Sequence, residues 1–561
     1  MTTNIFSILN TAKLGLQSQQ LAIEVTGNNV ANVQTEGYSR QTVTLEPNTP
    51  RTFGLGQIGT GVRATGIARS FDQFLFNQIL GENQSLGNFS IRRDVFENLE
   101  ILLNESEGLS LNNELNHFFG ALSDLANNPT GFSERTNAIA AGASLSQTFN
   151  KLGNALTEER LNLDRKVDDE VTQINSLLTE IVRLNESIPS SNLTGFSAND
   201  LSDQRDQLVK ELSKKLDATL ISSGDGKINL TLADGTPLVL GDQAFTLSTQ
   251  GSSNNGGLKD IFIQDPSGTP VNITNTIQGG EMRGLLDMRD TEVANALDKL
   301  DRLAASIVTE INRVHQEGLG LDGTTGNDFF TALPVTIAAD SANSGGSDIT
   351  IINASATTTS TDKFRLNFTA ANQFEVINRT TGQNVTGSPV TFTVGTPVNV
   401  DGFAITINTA PSGAGDVFDF STSAGAASSL SVSTTLLADS QKLAAGLNST
   451  GDGDNALALA GLQTRGVFSG LGFASGSGSA TFDDFYSGLI NSVGNGARSA
   501  QTLAQQQESI SLQLDIRRES VSGVSIDEEM INLIKFQQAF QASARMISIV
   551  DEMFDILQNQ I

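Results

Sequence analysis

A mainly α-helical fold with β insertions is predicted by the sequence, and three observations lead to it. Apolar residues recur in steps of three and four at both ends of the chain. Three long interior stretches have the same helical spacing, and two further segments alternate apolar and polar residues as half-buried strands do. We therefore expect paired terminal coiled-coil helices, an elongated helical-bundle rod and small all-β outer domains.

The two ends of the chain are predicted to be long amphipathic helices. The apolar positions of the first helix are Ile5, Leu9, Ala12, Leu16, Ile23 and Val30, and those of the last are Ile526, Met530, Leu533, Phe540, Ala544, Ile547, Phe554 and Ile561. Each set lies on one side of its helix, so pairing the two helices as a coiled coil removes both sets from water.

The C-terminal helix carries a second apolar set, displaced around the helix from the first. Its members are Phe536, Ala539, Met546, Val550, Met553 and Leu557. One partner helix cannot cover both sets, so we expect the second to pack on neighbouring subunits and the ends of an isolated chain to be mobile. Heptad spacing alone fits an intramolecular bundle equally well.

Three interior segments are predicted to be the helices of the rod. The clearest, over residues 150–190, ends at Pro189 and carries Leu156, Leu163, Val167, Ile174, Leu177, Ile181, Leu184 and Ile188 on one seam. A second seam consists of Val293, Leu297, Leu300, Ala304, Ile307, Ile311 and Val314, and a weaker third seam of Val493, Ala500, Leu503, Ile510 and Leu514. Such helices, far apart in sequence, are expected to share one core.

Two segments between the helices are predicted to be β structure. Residues 227–247 read as a hairpin, in which Leu230 and Leu238 belong to alternating runs on either side of an Asp234-Gly235 turn. Residues 331–430 hold further alternating runs, with Phe364, Leu366, Phe368, Phe392, Val394, Phe403, Ile405, Ile407, Phe418 and Phe420 on the buried faces.

This order predicts four structural units. Residues 1–75 plus 522–561 form a terminal coiled-coil and assembly domain, and residues 76–215 plus 280–330 plus 431–521 form the helical-bundle rod. Residues 216–279 form an insertion that contains the β-hairpin, and residues 331–430 an all-β insertion domain. Each insertion leaves the helical trunk and returns to it, as expected of an elongated molecule.

Composition argues against several functional classes. The chain has 34 Lys and Arg against 62 Asp and Glu, a net charge of −28, so neither nucleic acid nor an anionic membrane is an expected partner. It has no Cys and two His, His117 and His315; the default reading of His315 is a structural hydrogen bond, involving Asn312. We predict no catalytic, cofactor-binding or metal-ligating residue, and hence a protein that is not an enzyme.

Residues 28–41, directly after the N-terminal helix, resemble a motif of the flagellar axial proteins of bacteria. The matching positions are Asn28, Asn29, Ala31, Asn32, Thr35, Gly37 and Tyr38, and the following Ser39, Arg40 and Gln41 are similar to the hook-associated protein 1 branch of that family. The chain end from Ser522 onward and two internal blocks, residues 199–208 and 279–330, are similar to the same branch. The resemblance does not extend over most of residues 331–430.

The resemblance implies a structural subunit at the junction between hook and filament of the bacterial flagellum. It implies self-assembly into a ring-like layer by coupled folding of the termini, with hook protein and hook-associated protein 3 as neighbours. It further implies a flagellar export chaperone and type III export to the extracellular flagellum without a cleaved signal peptide. The alternatives are a hook or distal rod subunit of the same family, or a surface adhesin that binds through the β insertion.

Overall fold

The computed structural model describes residues 2–53, 56–103, 110–193, 198–223, 226–264, 268–340, 342–343, 346–353, 360–411, 413–468 and 480–559. Its helices are α1 (Thr2–Ala31), α2 (Gln73–Leu103), α3 (Leu111–Asn127), α4 (Phe132–Leu193), α5 (Asn199–Lys215), α6 (Gly280–Asp287), α7 (Val293–Glu317), α8 (Ala426–Ser429), α9 (Thr434–Ala438), α10 (Asp454–Gly461), α11 (Phe482–Ser522) and α12 (Ile526–Asn559). Among the described residues, no helix is long and apolar enough to span a bilayer.

The strands form several small antiparallel sheets between the helices. The first group is β1 (Gln41–Pro47), β2 (Arg51–Phe53), β3 (Gly56–Ile58) and β4 (Val62–Arg69); the second is β5 (Thr219–Ser222), β6 (Ile228–Thr231), β7 (Pro237–Leu240), β8 (Gln243–Ala244), β9 (Leu247–Gly251), β10 (Lys259–Gln264) and β11 (Pro270–Asn272). The third is β12 (Thr336–Ala339), β13 (Asp348–Asn353), β14 (Phe364–Ala370), β15 (Gln373–Asn378), β16 (Val390–Thr391), β17 (Pro397–Val400), β18 (Phe403–Thr409) and β19 (Val417–Ser421). The prediction of a mainly helical chain with β segments is confirmed.

The predicted seam of α4 is buried at every one of its eight positions, which confirms the heptad interpretation. The predicted end at Pro189 is wrong, because α4 continues to Leu193. Proline lacks the N–H that would bond to the carbonyl one turn earlier. Since the helix stops within the next turn, few further hydrogen bonds depend on a straight continuation.

The seams of α7 and α11 differ in how well the sequence predicted them. In α7 six of the predicted residues are buried and Leu297 is half-buried. In α11 Leu503 and Ile510 are exposed instead of buried, and the buried line consists of Val493, Ala497, Ala500, Ala504, Gln507 and Leu514. That line keeps strict heptad spacing, but its residues are mostly small, because α11 lies close against α2.

The predicted hairpin is present, with β6 and β7 joined through a turn in which Gly235 has a φ of +93°. Leu238 is buried as expected, whereas Leu240 is exposed. A register shift after Leu230 places Val239 opposite it, so Val239 and not Leu240 points into the core.

Residues 331–430 contain two sheets that share one apolar core. The strand order is β12-β19-β14-β15-β16 in one sheet and β13-β18-β17 in the other. The rings of Phe364 and Phe403 lie 5.2 Å apart between centroids, as do those of Phe403 and Phe420, which joins the sheets across the core. The predicted inward residues are buried except Val394, which lies in a turn after β16 and is exposed.

A polar contact fixes this β region to α7. Asp301 accepts hydrogen bonds from the backbone N–H groups of Gly425 (2.9 Å) and Ala427 (2.8 Å). Beside it, Arg302 lies 2.8 Å from the carboxylate of Asp362. Burial raises the pKa of Asp301 to about 6, although the two N–H groups favour the charged form.

Candidate functional site

The two terminal helices lie antiparallel against each other. The rings of Phe6 and Phe554 are 5.3 Å apart, and Asn29 near the other end of α1 donates a 3.0 Å hydrogen bond to Glu529. Between these contacts Gly15 faces Ser543, where an added Cβ would lie 3.1 Å from the Ser543 hydroxyl. The N-terminal and C-terminal segments therefore contact each other over most of their length.

The contact line of α1 differs from the predicted stripe. Its fully buried apolar residues are Ile5, Ala12, Ala22 and Val25, whereas Leu9, Leu16, Ile23 and Val30 are only partly buried. Gly15 and two of the buried residues are small, so the helices approach each other through small residues. Along this helix, large apolar side chains are therefore weaker signals of contact than small residues.

The two predicted apolar sets of α12 are divided differently in the structure. Phe536, Ala539 and Val550, assigned to the outer set, are buried or partly buried within the chain, together with Leu533, Phe540, Ile547 and Phe554 of the inner set. Met530, assigned to the inner set, is 46% exposed. The side chain of Leu557 and residue Ile561 lie outside the described part of the chain.

A broad apolar face of α12 remains open to solvent. Ile526 at the start of the helix, assigned to the inner set, is 50% exposed. Seven further large apolar side chains are each at least 41% exposed, and we call these seven the free face: Met530, Ile531, Ile534, Met546, Ile549, Met553 and Ile556. A soluble single chain rarely exposes so many apolar side chains along one helix without a partner for them.

Asn29 is the centre of a buried polar junction next to the terminal helices. Its Nδ2 donates to Gln41 O (2.9 Å) and to Glu529 Oε2 (3.0 Å). Its Oδ1 accepts from the Gln41 N–H (3.0 Å) and from the Tyr38 hydroxyl (2.9 Å). An amide side chain offers two donors and two acceptors, and here all four positions join α1, β1 and α12.

The remaining asparagines end α1 and begin the turn. Asn32 Nδ2 donates to the backbone and side-chain oxygens of Asn28, both at 3.0 Å, and Thr35 donates to Asn32. Gly37 has a φ of +81°, and a Cβ there would lie 2.5 Å from the side chain of Gln207. The motif therefore works as a helix end followed by a tight turn against α5.

Arg40 connects this turn to the elbow between α11 and α12. Its backbone N–H donates to Ser522 O (2.8 Å), and its Nε lies 2.7 Å from Glu529 Oε1. Glu528 approaches the same guanidinium at 3.5 Å from the solvent side. Glu529 is only 2% exposed, and its position in the first turn of α12 is favourable for a carboxylate because of the helix dipole.

Three carboxylates on one face of α5 hold the other side of the motif. Asp200 accepts from Gln41 Nε2 at 2.6 Å, and Asp203 accepts from the Ser39 N–H at 2.8 Å. Arg69 Nη1 lies 2.7 Å from both Asp203 and Asp206. Spacing of three residues places these acids on adjacent turns of the helix.

The charges of this junction shift its pKa values. Burial raises the pKa of Asp206 despite the nearby guanidinium of Arg69. Burial would lower the pKa of Arg69, but Asp206 and Asp203 outweigh it and raise that pKa. Burial, followed by the negative charges of Asp200, Asp203 and Glu529, raises the pKa of Tyr38 to about 12. Tyr38 therefore stays a neutral donor to Asn29 at physiological pH.

The junction brings together three sequence blocks that were recognised separately, residues 28–41, residues 199–208 and the chain end from 522. The sequence interpretation did not identify Arg69 or Glu529 as members of it. Asp200, Asp203 and Asp206 were inside a recognised block, and their three-residue spacing was a signal for a shared helix face. Nothing local indicated which cations they would meet.

The imidazole of His315 has a structural position. Its Nδ1 lies 2.6 Å from Asn327 O, and its Nε2 accepts from the Ala444 N–H at 2.9 Å. The expected partner Asn312 instead binds the backbone of Phe329 and Phe330. Burial lowers the pKa of His315 to about 4, so the ring is neutral at pH 7. In the described ranges no group of three His, Cys, Asp or Glu side chains could hold a metal ion.

Comparison with family models gives three matches along the chain. Residues 96–330 match the flagellar hook-associated protein FlgK helical domain. Residues 518–560 match the flagellar basal body rod FlgEFG protein C-terminal model, and residues 9–38 match the flagella basal body rod protein model. The last two matches lie on the terminal helices and include Asn29, Tyr38 and Glu529 of the polar junction.

Similar proteins extend the relation to nearly the whole chain. The flagellar hook-associated protein 1 of Salmonella typhimurium is 31% identical over 99% of this chain and 99% of its own, and that of Bacillus subtilis is 28% identical over 99% and 98%. The flagellar hook junction protein FlgK of Burkholderia pseudomallei has a similar fold, with a TM-score of 0.69, 20% identity, and coverage of 80% of this chain and 100% of that one. The chain therefore belongs to the flagellar hook-associated protein 1 family and is a structural protein of flagellum assembly.

Proposed function

We propose that this chain is the structural subunit of a ring-like junction layer between hook and filament, and that its copies pack side by side through the free face of α12. The observation that carries the proposal is the exposure of seven large apolar side chains on a helix whose opposite side is already covered by α1. Family membership supports the place in the flagellum, and the free face supplies the contact surface.

The energetic reason is the hydrophobic effect. Burying one large apolar side chain stabilises an assembly by about 1.5–3 kcal/mol. Partial burial of several side chains of the free face then offsets the loss of translational freedom on association, which is at least about 4 kcal/mol. A second copy of the same chain presents the same apolar face, so the layer needs no additional component to begin.

The polar junction sets the direction of that face. Asn29, Arg40 and Glu529 connect the terminal helices to β1 and to the α11–α12 elbow, and Asp203 connects the turn to α5. Buried polar networks of this kind favour one orientation over others because a rotated helix would leave their charges unpaired. The free face is thereby held at a fixed angle to the rest of the chain.

The finer parts of the proposal concern export and assembly. The chain leaves the cell by flagellar type III export without a cleaved signal, is bound before export by a flagellar chaperone, and contacts hook protein on one side and hook-associated protein 3 on the other. Its termini complete their folding when they pack on neighbours. Hydrogen exchange tests this last step: the polar junction should give residues 1–40 and 526–561 of the monomer only partial protection, and protection as strong as that of the interior helices would contradict it.

Electron microscopy of cells that lack this chain, with an assay for flagellin in the medium, tests the proposed place. We expect bare hooks and shed flagellin. Missing hooks would move the chain to the hook or distal rod, and normal filaments would contradict a role in the axial structure.

Complementation with surface variants then tests the contact surface. Ile549→Asp places a charge on the free face and should abolish filament growth. The matched control is Ile221→Asp, which changes a similarly exposed isoleucine on β5 and should leave growth intact. Normal growth with Ile549→Asp would contradict packing through this face.

A further inference from the structure

Thioethers are the most readily oxidised side chains of this protein. The sequence contains no Cys and no Trp, but it contains six Met. Oxidation of Met to the sulfoxide converts a flexible apolar side chain into a polar one, and susceptibility to oxidation follows solvent exposure.

The structure divides five of these methionines into two groups. Met282 and Met288 are 0% exposed and lie in the apolar core formed with the long helices. Met530, Met546 and Met553 are 46%, 41% and 42% exposed, and all three belong to the free face of α12. Among the described residues, the accessible thioethers therefore lie with the apolar side chains that the proposed assembly buries.

We infer that Met530, Met546 and Met553 are an oxidation-sensitive set, whose conversion to sulfoxides in the unassembled chain blocks packing of α12 on a second copy. This inference rests on the proposed packing through the free face. The oxidant is a hydroperoxide. The sulfur attacks one oxygen of hydrogen peroxide, and an S–O bond forms as the O–O bond breaks. The other oxygen takes the proton of the oxygen now bound to sulfur and leaves as water, so the thioether is oxidised by two electrons and the peroxide is reduced.

The sulfoxide opposes assembly because it brings a strong acceptor into a surface that is apolar. Burying such a group without a donor weakens association by about tenfold for each site. Ile531, Ile534 and Ile549 on the same face have no polar side-chain group to offer as a donor. Once the layer has formed, the same face is covered, so oxidation acts before assembly and assembled copies resist it.

The first test is chemical and does not depend on assembly. The purified full-length chain is treated with dilute hydrogen peroxide, and sulfoxides are mapped by peptide mass spectrometry. We expect Met530, Met546 and Met553 to react roughly tenfold faster than Met282 and Met288, because exposure limits the reaction. Equal rates at all five positions would overturn the inference.

The second test measures binding of the treated chain to hooks isolated from cells that lack it. Oxidised wild-type chain should bind at least about tenfold less than untreated chain, while the M530L/M546L/M553L variant should bind equally with and without peroxide. Treatment of the oxidised wild-type chain with methionine sulfoxide reductases should restore binding. This last measurement decides the question if the triple variant folds poorly, and a failure to restore binding would contradict the inference.

The unoxidised Ile549→Asp variant separates the two proposals in the same assay. If oxidised wild-type chain binds normally while Ile549→Asp does not, the free face is the contact surface and the oxidation inference is wrong. If Ile549→Asp also binds normally, the proposed contact surface is wrong.

Discussion

Replacing Glu529 by glutamine tests whether the polar junction holds the start of α12. The carboxylate is 2% exposed, with Oε1 2.7 Å from Arg40 Nε and Oε2 3.0 Å from Asn29 Nδ2. Glutamine keeps the size and helix propensity but has a single acceptor oxygen. Its amide nitrogen, a donor, then faces either Arg40 or Asn29 where a carboxylate oxygen accepted before, and the charge that balances Arg40 is lost.

The magnitude follows from these contacts. Removing one partner of a fully buried ion pair costs about 3–5 kcal/mol, and an unsatisfied buried donor costs about 1–3 kcal/mol. The Arg40 side chain is 24% exposed and retains Glu528 at 3.5 Å, so water and the second acid offset part of the loss. We expect Glu529→Gln to lower the local stability of the α11–α12 elbow by about 2 kcal/mol.

Hydrogen exchange on the full-length chain measures this effect. Amides of the first turns of α12 should exchange roughly thirtyfold faster in Glu529→Gln, which is the factor that 2 kcal/mol gives. Glu528→Gln is the matched control, because Glu528 neighbours the same arginine but its side chain is 65% exposed, and it should cost less than about 0.5 kcal/mol. Equal effects of the two substitutions would refute the conclusion that the buried carboxylate of Glu529 stabilises the polar junction.

Three further predictions concern other parts of the chain. The pKa of Asp301 is raised to about 6 in the folded chain, above its unfolded value, so the folded state binds the proton more tightly. This group therefore adds stability as the pH falls through 6. Urea unfolding on both sides of that pH should show a smaller gain in the free energy of unfolding for Asp301→Asn than for the wild-type chain. Gly37→Ala should lower the free energy of unfolding by about 1–3 kcal/mol, since φ is +81° and an α5 side chain lies 2.5 Å from the new Cβ. The control Gly235→Ala, at φ +93° with open space around the Cβ, reports the backbone strain alone. An equal loss of stability in the two variants would contradict a role for the contact between Gly37 and α5. In α11, Gly496→Ala should destabilise the chain by about 1–3 kcal/mol, because a buried ring of α2 lies 2.5 Å from the added Cβ. The control Gly494→Ala, whose Cβ meets only a side-chain oxygen at 3.7 Å, should instead stabilise the chain by up to about 1 kcal/mol. Thermal unfolding measures both, and identical changes in Tm would refute close packing of α11 on α2.

Apolar periodicity predicts the buried residues of α4 better than those of α11. The α4 seam is made of Leu, Ile and Val, and all eight predicted positions are buried. Half of the α11 seam is Ala, and the larger Leu503 and Ile510, which apolar spacing predicts to be buried, are exposed in the structure. Small residues are poor signals of burial by themselves, yet they are the residues that allow two helices to approach closely.

The polar junction illustrates a second limit. Asn29 and Gly37 lie within one short motif, residues 28–41, and the structure places them at the end of α1 and in a turn with positive φ. Glu529 is 500 positions from Asn29, and Asp203 is 164 positions from Ser39. No spacing rule connects residues so far apart, because their meeting depends on how the long helices pack.

The sequence by itself determined that long helices lie at both ends and at the seams of α4, α7 and α11, that β segments lie between them, and to which family the chain is similar. These properties follow from local periodicity, turn residues and short motifs, each of which spans only a short stretch of sequence. The tertiary structure decided which face of each terminal helix is covered, which side chains of α12 stay free, and which charges pair at the junction. Those outcomes depend on close approach between segments that are distant in sequence. The missing Cβ of Gly15 matters only because Ser543 packs against it, and Glu529 is buried only because Asn29 and Arg40 lie beside it.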